Sequence, residues 1–354
     1  MIRTIPPMGR LLLTIIVALI AGSKLSWGAT FPLPPAGTTV VGHIKVVIAR
    51  RQDTLLDIAR HYDVGYNEIR AANPGVSVWL PGAGSRVVVP AEFILPPKPW
   101  AGIIVNVPER RLFYFPKPLP GHAPVVVTFP VGIARHAWPT PLGGTRIIAK
   151  YRNPSWIVPK DIRQEHIQEG ELHYPRYFPP GPDNPMGMLA LQTGFPEIFI
   201  HGTDKPWGVG MRPSHGCFHL YPEDASYLFP RVGVGTPVRI IDQPYVVGQR
   251  NGKLYMAAFK PVEDYHHDKG LLTRAVAAVL PFLPKHLTPG LERRIVDWRK
   301  VMAVAQAQRT IPTPIASGTP GIGEIIAAIR PHLYTYPPYG SDANDAAPPS
   351  LLAK

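Results

Sequence analysis

The chain has 354 residues, with 37 Lys or Arg against 24 Asp or Glu, and a formal net charge of +13. That length allows two or three domains with real cores, and the positive charge favours acidic polymers or anionic surfaces as partners. Nucleic acid is excluded as a partner, because the first residues predict export from the cytoplasm. The 45 prolines are scattered along the chain and argue against long helices.

Residues 1–29 are typical of an export signal. Arg3 and Arg10 make the first segment positive, and residues 11–22 form a short apolar stretch. Small residues follow, and cleavage is expected after Gly28 or Ala29. The apolar stretch is too short for a comfortable membrane-spanning helix, so an uncleaved anchor is only the alternative. The mature protein is therefore expected outside the cytoplasm.

Residues 44–91 predict a small separate unit with the order strand, helix, helix, strand. Asp53 or Thr54 can cap the first helix, which has apolar positions at helical spacing. The second helix carries Ile69 and ends at residues 73–75, read Asn-Pro-Gly. A second β-rich run closes the unit.

Residues 100–242 predict a mainly β domain, which follows a stiff, proline-rich linker at 96–99. Short apolar runs separated by turn residues predict its strands, at 102–107, 111–115, 124–132, 145–150, 197–201 and 237–241. Helical patterns are confined to 161–169 and 223–229.

Residues 243–330 predict a partly helical C-terminal extension, with a hairpin turn at 251–252 and then two helices. The second helix is expected to run from Thr288 to Ala305, with an apolar face and a basic face. Either the basic face is solvated while the other packs on the neighbouring domain, or it contacts a partner or an anionic surface. Residues 331–354, rich in Pro, Ala, Ser and Asp, predict a disordered tail.

Cys217 is the only cysteine of the chain, and it lies in a polar, turn-forming segment. A single unpaired thiol in an exported protein indicates a chemical use. A nearby imidazole such as that of His201 can promote the thiolate, which is the nucleophilic form. Gly216 permits close approach of a substrate, and the N–H groups of Gly216 and Cys217 can meet an oxyanion. The alternative is a buried cysteine that packs as a small apolar residue, but the polar neighbours favour catalysis.

These segments resemble the YkuD-type L,D-transpeptidase family. Its signature is a His-Gly pair and, after a gap, Ser/Thr-His-Gly-Cys, which here comprises His201, Gly202, Ser214, His215, Gly216 and Cys217. Residues 153–156, 181–187 and 208–212 also match. The family usually continues with Ile or Val and then Arg or Asn, whereas this chain has Phe218 and His219, a departure that concerns substrate contacts.

Residues 44–91 resemble the LysM module, which binds glycan strands containing N-acetylglucosamine. The likeness lies in residues 53–64, 73–74 and 80–82 and in the final strand. One departure is Arg51 followed by Gln52, where that module usually has glycine before the Asp. A spacer that keeps the fold without binding sugar is the alternative.

The transpeptidase resemblance implies a β-sandwich of mixed sheets with short helices, acting on peptidoglycan in the periplasm without a cofactor. Cys217 would attack the third residue of a stem tetrapeptide, release D-alanine and form a thioester. An amine of a neighbouring stem, or a lysine of an outer-membrane lipoprotein, would then resolve it. His201 would be the base, oriented by the Gly202 carbonyl.

The resemblance also suggests lesser roles around the pocket. Ser214 and His215 would shape it, and Arg212, Trp156 and His219 would contact substrate. A metal site from His201, His215 and His219 is rejected, because it lacks a carboxylate ligand.

Two other functions stay open at this point. A hydrolase or carboxypeptidase would use the same thioester with water as acceptor. A wall-binding scaffold would need neither Cys217 nor His201.

Overall fold

The computed structural model describes residues 28–265, 269–286 and 288–334. The predicted export signal up to residue 27 and the predicted tail from residue 335 lie outside the described residues. Within the described ranges, no helix is both long and apolar enough to cross a membrane.

The first part of the chain contains five strands and two helices. In chain order they are β1 (Ala29–Pro32), β2 (Val40–Gly42), β3 (Lys45–Ile48), α1 (Leu55–His61), α2 (Tyr66–Ala72), β4 (Arg86–Val89) and β5 (Glu92–Ile94). Strands β3 and β4 pair antiparallel and flank the two helices in sequence, giving the expected βααβ order. Thr54 caps α1 by accepting a hydrogen bond from Asp57 N at 3.1 Å, while the Asp57 carboxylate accepts from Thr54 N at 2.8 Å.

The central part is mainly β, with two helices. It comprises β6 (Gly102–Asn106), β7 (Arg111–Phe115), β8 (Val125–Pro130), β9 (Gly143–Arg152), β10 (Trp156–Ile157), α3 (Lys160–Gln168), β11 (Tyr177–Phe178), β12 (Leu189–Thr193), β13 (Phe199–His201), β14 (Phe218–His219), α4 (Pro222–Arg231) and β15 (Pro237–Ile241). Nine strands form one mixed sheet in the order β1-β8-β7-β6-β15-β9-β12-β13-β14.

The long strand β9 joins the two halves of this sheet. Its beginning pairs with β15 and its end with β12. Ile103 and Phe129 of one half lie in the same buried cluster as Ile200 and Phe218 of the other. The sheet therefore curls around one core. The mixed sheets expected from the sequence are the two halves of this one sheet, which β9 joins.

Strands β6 and β7 are buried on both faces, which explains their unbroken apolar sequences. Ile103 and Leu112 face the curled core, whereas Ile104 and Phe113 pack into a second cluster with Leu55 and other residues of the βααβ unit. That unit shares a core with the central sheet, so the expectation of a separate unit is corrected.

The last described part contains three strands and four helices. They are β16 (Tyr245–Arg250), β17 (Lys253–Ala258), α5 (Leu271–Val279), α6 (Pro289–Ile295), α7 (Trp298–Ala307), β18 (Thr313–Pro314) and α8 (Ile322–Ala328). The strands form a small antiparallel sheet, and the predicted hairpin turn joins β16 to β17.

The single helix expected from Thr288 to Ala305 is wrong, because the chain breaks between α6 and α7. Val296 is extended (φ −140°, ψ 135°), and the Asp297 side chain accepts a hydrogen bond from Arg299 N. Asp297 N donates to Ile315 O at 2.6 Å. A tertiary contact and a new N-cap therefore override the continuous helical pattern.

The prediction that a disordered tail begins at residue 331 is wrong for residues 331–334. His332 N donates to Val46 O at 3.0 Å, and Tyr334 is 8% exposed and lies against His61 with stacked rings. Ile325 and Ile329, within and just after α8, pack on Val46. Residues 331–334 are thus held on the βααβ unit.

Candidate active site

Two adjacent parallel strands position the candidate catalytic residues. In this pair, Ile200 of β13 lies opposite Phe218 of β14, and His201 lies opposite His219. Ile200 and Phe218 are almost fully buried in the curled core. Because side chains alternate along a strand, His201 and His219 face away from that core, as does Cys217 directly before β14. Cys217 and His201 therefore lie on the same face of the β13–β14 pair, and Cys217 is two residues before the residue opposite His201.

The Cys217 thiol is half-buried and contacts the backbone. Phe199 N donates to Sγ at 3.4 Å, and Sγ lies 3.4 Å from Glu197 O. Glu197 has a left-handed backbone (φ 59°), an uncommon conformation for a non-glycine residue. Desolvation raises the pKa of the Cys217 thiol to about 11, opposed by the Phe199 amide. The resting side chain is therefore a neutral thiol.

The His201 imidazole is 3% exposed and held by the residue that follows it. Nδ1 lies 2.6 Å from Gly202 O. A carbonyl oxygen only accepts, so Nδ1 carries the proton and Nε2 is left as the basic nitrogen. Burial lowers the pKa of His201 to about 4, against the opposing effect of the Gly202 and Met186 backbones. The Gly202 carbonyl thus fixes the tautomer, while burial keeps the ring neutral.

The turn before Cys217 is held by hydrogen bonds to its backbone. Ser214 Oγ donates to Cys217 O at 2.6 Å, and Thr140 Oγ1 donates to Gly216 O at 2.6 Å. Tyr265 Oη, from the C-terminal extension, donates to Thr140 O at 2.9 Å. Thr140 and Tyr265 come from distant segments without a local motif, so the sequence did not identify them.

Gly216 cannot be replaced without strain. Its φ is +117°, and a Cβ would lie 2.8 Å from Ile198 Cδ1. L-residues with a side chain rarely adopt this backbone region. The glycine of the signature is therefore required by conformation and by space.

His215 belongs to a cluster that connects the turn to α3. Its Nε2 lies 2.6 Å from Glu165 Oε2, and its ring meets Trp138 edge-on with centroids 5.0 Å apart. Arg135 pairs with Glu165 at 3.5 Å and with Glu169 at 2.7 Å. These contacts hold α3 beside the cysteine turn.

The structure places the three proposed substrate-contacting side chains differently. The Arg212 guanidinium donates through Nε to Ala134 O at 2.8 Å and pairs through Nη2 with Asp264, so two of its nitrogens are engaged within the protein. Trp156 stacks on Phe178 in the β10–β11 pair, with centroids 5.6 Å apart. His219 lies beside His201, with ring centroids 4.5 Å apart.

Asp264 is another residue that sequence reasoning missed. It accepts a hydrogen bond from Ala137 N at 2.8 Å and pairs with Arg212. It therefore ties the C-terminal extension to the 134–138 segment. Across the described ranges, no group of three or more His, Cys, Asp or Glu residues is arranged to hold a metal ion.

Known proteins resemble this chain over the catalytic domain and beyond it. The YkuD family model, an L,D-transpeptidase catalytic domain, matches residues 101–240. The probable L,D-transpeptidase ErfK/SrfK of Escherichia coli strain K12 is 35% identical over 315 residues, covering 85% of this chain and 96% of that protein. The probable L,D-transpeptidases YbiS and YcfS of the same strain are 35% and 36% identical, covering 69% and 66% of this chain and 79% and 74% of those proteins. The chain therefore belongs to the YkuD-type L,D-transpeptidase family.

Proposed function

We propose that this L,D-transpeptidase acts on peptidoglycan stem peptides through a thioester on Cys217. The observation that carries the proposal is the β13–β14 register, which puts the thiol and the His201 ring on one face. The donor is a stem tetrapeptide, and the acceptor is an amine of a neighbouring stem or of a lipoprotein lysine.

The first half-reaction consumes the donor. The Cys217 proton moves to His201 Nε2 as Sγ attacks the carbonyl carbon of the third residue. The tetrahedral intermediate then collapses, the C–N bond to D-alanine breaks, and the departing amine takes the proton from His201. In the second half-reaction an acceptor amine attacks the thioester, a new amide forms and the thiol is regenerated.

The protonation states of Cys217 and His201 before substrate binds constrain how the first half-reaction begins. With a thiol pKa of about 11 and an imidazole pKa of about 4, an ion pair is disfavoured at neutral pH. Proton transfer is therefore coupled to carbonyl attack, where negative charge moves from sulfur to oxygen. Backbone N–H groups of Gly216 and Cys217 would stabilise that oxyanion, worth about 3–4 kcal/mol for one such donor in other enzymes.

The pocket residues receive revised roles in this proposal. Ser214 and Gly216 shape the cysteine turn, and His215 links that turn to α3. Because the Arg212 guanidinium is engaged by Ala134 and Asp264, we assign it to positioning the 134–138 segment instead of binding substrate. Substrate contact by Trp156 and His219 stays a prediction.

The remaining regions fit a wall enzyme outside the cytoplasm. We propose an export signal at 1–29, a LysM-type glycan-binding unit at 44–91, a catalytic domain at 100–242 and an extension at 243–330. The observed βααβ order supports the second assignment. The net charge of +13 suits an anionic polymer. The periplasm is the expected location.

Intact-protein mass measured after incubation with muropeptide tetrapeptides tests the proposal. We expect an acyl adduct on the wild type and new cross-linked dimers, with neither in Cys217→Ala. His201→Gln should form the adduct far more slowly while keeping the fold. The matched control is His173→Gln, an exposed histidine.

Each alternative has its own outcome. Tripeptides without dimers, even with amine acceptors added, would indicate a hydrolase. Absence of any adduct with glycan binding retained would indicate a wall-binding scaffold and overturn the proposal.

A further inference from the structure

A pair of buried carboxyl groups lies between the βααβ unit and the central domain. Asp63 follows α1 and is 5% exposed, while Asp224 lies in the first turn of α4 and is 2% exposed. The two side chains are hydrogen-bonded to each other. Two carboxyl groups form such a bond only by sharing a proton, so one of them is neutral.

Beyond the bond that the two carboxyl groups make with each other, each group has a buried oxygen that receives no other donor. Within the described ranges, no N–H or hydroxyl group donates to Asp63 Oδ1 or to Asp224 Oδ2, and both atoms are buried. Most buried side-chain oxygens have at least one hydrogen-bond partner. The pair is thus incomplete as it stands and could accept further N–H groups.

A backbone N–H group at the start of β1 donates to the other oxygen of Asp63, Oδ2. Ala29 N lies 2.5 Å from this oxygen. Strand β1 pairs with β8, with Ala29 opposite Thr128, and so fixes the position of that nitrogen. As part of a peptide bond, Ala29 N is neutral and has a single hydrogen to donate.

The sequence before Ala29 predicts where the export signal is removed. A signal-removing protease prefers small residues at the last and third-last positions of the signal. Cutting after Gly28 places Gly28 and Ser26 there, whereas cutting after Ala29 would place the large Trp27 third from the end. The preferred cut therefore makes Ala29 the first residue.

We propose that removal of the signal between Gly28 and Ala29 creates an α-ammonium group that completes the Asp63–Asp224 site as a buried ion pair. The protease hydrolyses the Gly28–Ala29 amide with one water molecule; Gly28 leaves as the carboxylate end of the signal, and Ala29 N becomes a protonated amine. The ammonium has three hydrogens where the amide had one. It can keep the bond to Asp63 Oδ2, and it has two further hydrogens to offer to the carboxyl pair.

The charges around the site favour an added cation. Facing the pair are the carboxyl groups of Glu68 and Glu223, the phenol of Tyr221 and the guanidinium group of Arg111. Arg111 is already paired with Glu68 at 2.8 Å, and Arg60 with Glu223 at 2.8 Å. Burial raises the pKa of both Asp63 and Asp224, as expected for carboxyl groups that lack enough positive partners.

The first test is the N-terminal sequence of the exported protein, read from the full chain after secretion. Ala29 as the first residue is the expected result. A chain that begins at Thr30, or that retains its signal, would overturn the proposal, because neither has an amine at this position.

The second test compares the mature protein with the same protein selectively acetylated on its α-amino group. Acetylation restores the single N–H of an amide and removes the charge. We expect the acetylated form to unfold about 2–4 °C lower at pH 7. The gap should close as pH rises through the pKa of the amine, which pairing raises above its usual value of about 7.7–8.0. It should also narrow in acid, where Asp63 and Asp224 are both protonated.

An Asp63→Asn variant separates the ion pair from other effects of acetylation. In this background only Asp224 remains to pair with the amine, so the gap between the midpoints of the free and acetylated forms should shrink, while the exposed control Asp183→Asn should keep the full gap. If Asp63→Asn does not fold, the ion pair is tested by the pKa of the wild-type α-amine, which is measured by competitive labelling. A value at or below about 8.0, or equal midpoints for free and acetylated wild type, would overturn the ion pair.

Discussion

In the resting site the proton belongs to Cys217 and not to His201, because burial raises the pKa of the thiol to about 11 and lowers that of the imidazole to about 4. The enzyme therefore stores an unreactive thiol. Such a thiol resists oxidation and stray alkylation, which suits the proposed location outside the cytoplasm. In the proposed mechanism, the reactivity of Cys217 then depends on a bound carbonyl group and its oxyanion donors.

The pH dependence of Cys217 alkylation by iodoacetamide tests this ordering. Without substrate, the rate should rise with pH beyond 9 and level off near the thiol pKa of about 11, because only the thiolate reacts. A free cysteine peptide, the control, should level off at about 8.5. The same early plateau in the protein would contradict a neutral resting thiol.

The rate of acylation at low pH depends on the pKa of His201. A pKa of about 4, lowered from about 6.5, keeps the ring neutral and able to accept a proton down to about pH 5. Acylation by a tetrapeptide should therefore lose little rate between pH 7 and 5 and fall below that. Single-turnover mass measurements across this range would show it, and a tenfold loss already at pH 5.5 would disprove it.

Substitution of Gly216 tests the conformation of the cysteine turn. Gly216→Ala forces a Cβ toward Ile198 Cδ1 in a backbone region of positive φ, at a cost of about 1–3 kcal/mol, and should shift Cys217 out of register. We expect lower thermal stability and strongly reduced acylation. The control is Gly233→Ala, where a Cβ would meet nothing within 4 Å. Equal behaviour of the two variants would refute the steric argument.

At the scale of elements, α3 is connected to the cysteine turn by Glu165 and His215. Glu165→Gln removes the charge that meets His215 Nε2, so α3 should be held less firmly beside the site. We expect the KM for tetrapeptide to rise about 2–10-fold with a smaller change in kcat. Glu169→Gln, which affects Arg135 but not His215, is the control, and an equal effect of both variants would argue against the link.

Some features of the helices and strands can be predicted from local sequence patterns, and others cannot. The strand before His201 and the cap at Thr54 follow from alternation and from capping chemistry. The break between α6 and α7 does not, because it depends on Ile315 accepting a hydrogen bond from Asp297 N. Thr140 and Asp264 likewise reach the site from segments whose own sequence carries no catalytic motif.

At the scale of the whole molecule, a buried ion pair joins the βααβ unit to the central sheet. Arg111 is fully buried and meets Glu68 at 2.8 Å, whereas Arg60 and Glu223 at the same interface are partly exposed. Glu68→Gln should lower the free energy of unfolding by about 3–5 kcal/mol, since it leaves a buried guanidinium unpaired. Glu223→Gln should cost under about 1 kcal/mol. Denaturant unfolding would compare them, and similar losses would contradict the difference in burial.

The sequence by itself determined the chemistry of this protein. The lone thiol, the two His-Gly segments and the βααβ pattern are local features, readable because nucleophile, turn and capping residues have fixed types and spacings. Only the tertiary structure decided that the βααβ unit shares a core with the catalytic sheet, that Arg212 is engaged by Asp264, and that Ala29 meets Asp63. These contacts join residues far apart in the chain, and packing selects such partners without leaving a periodic signal in the sequence.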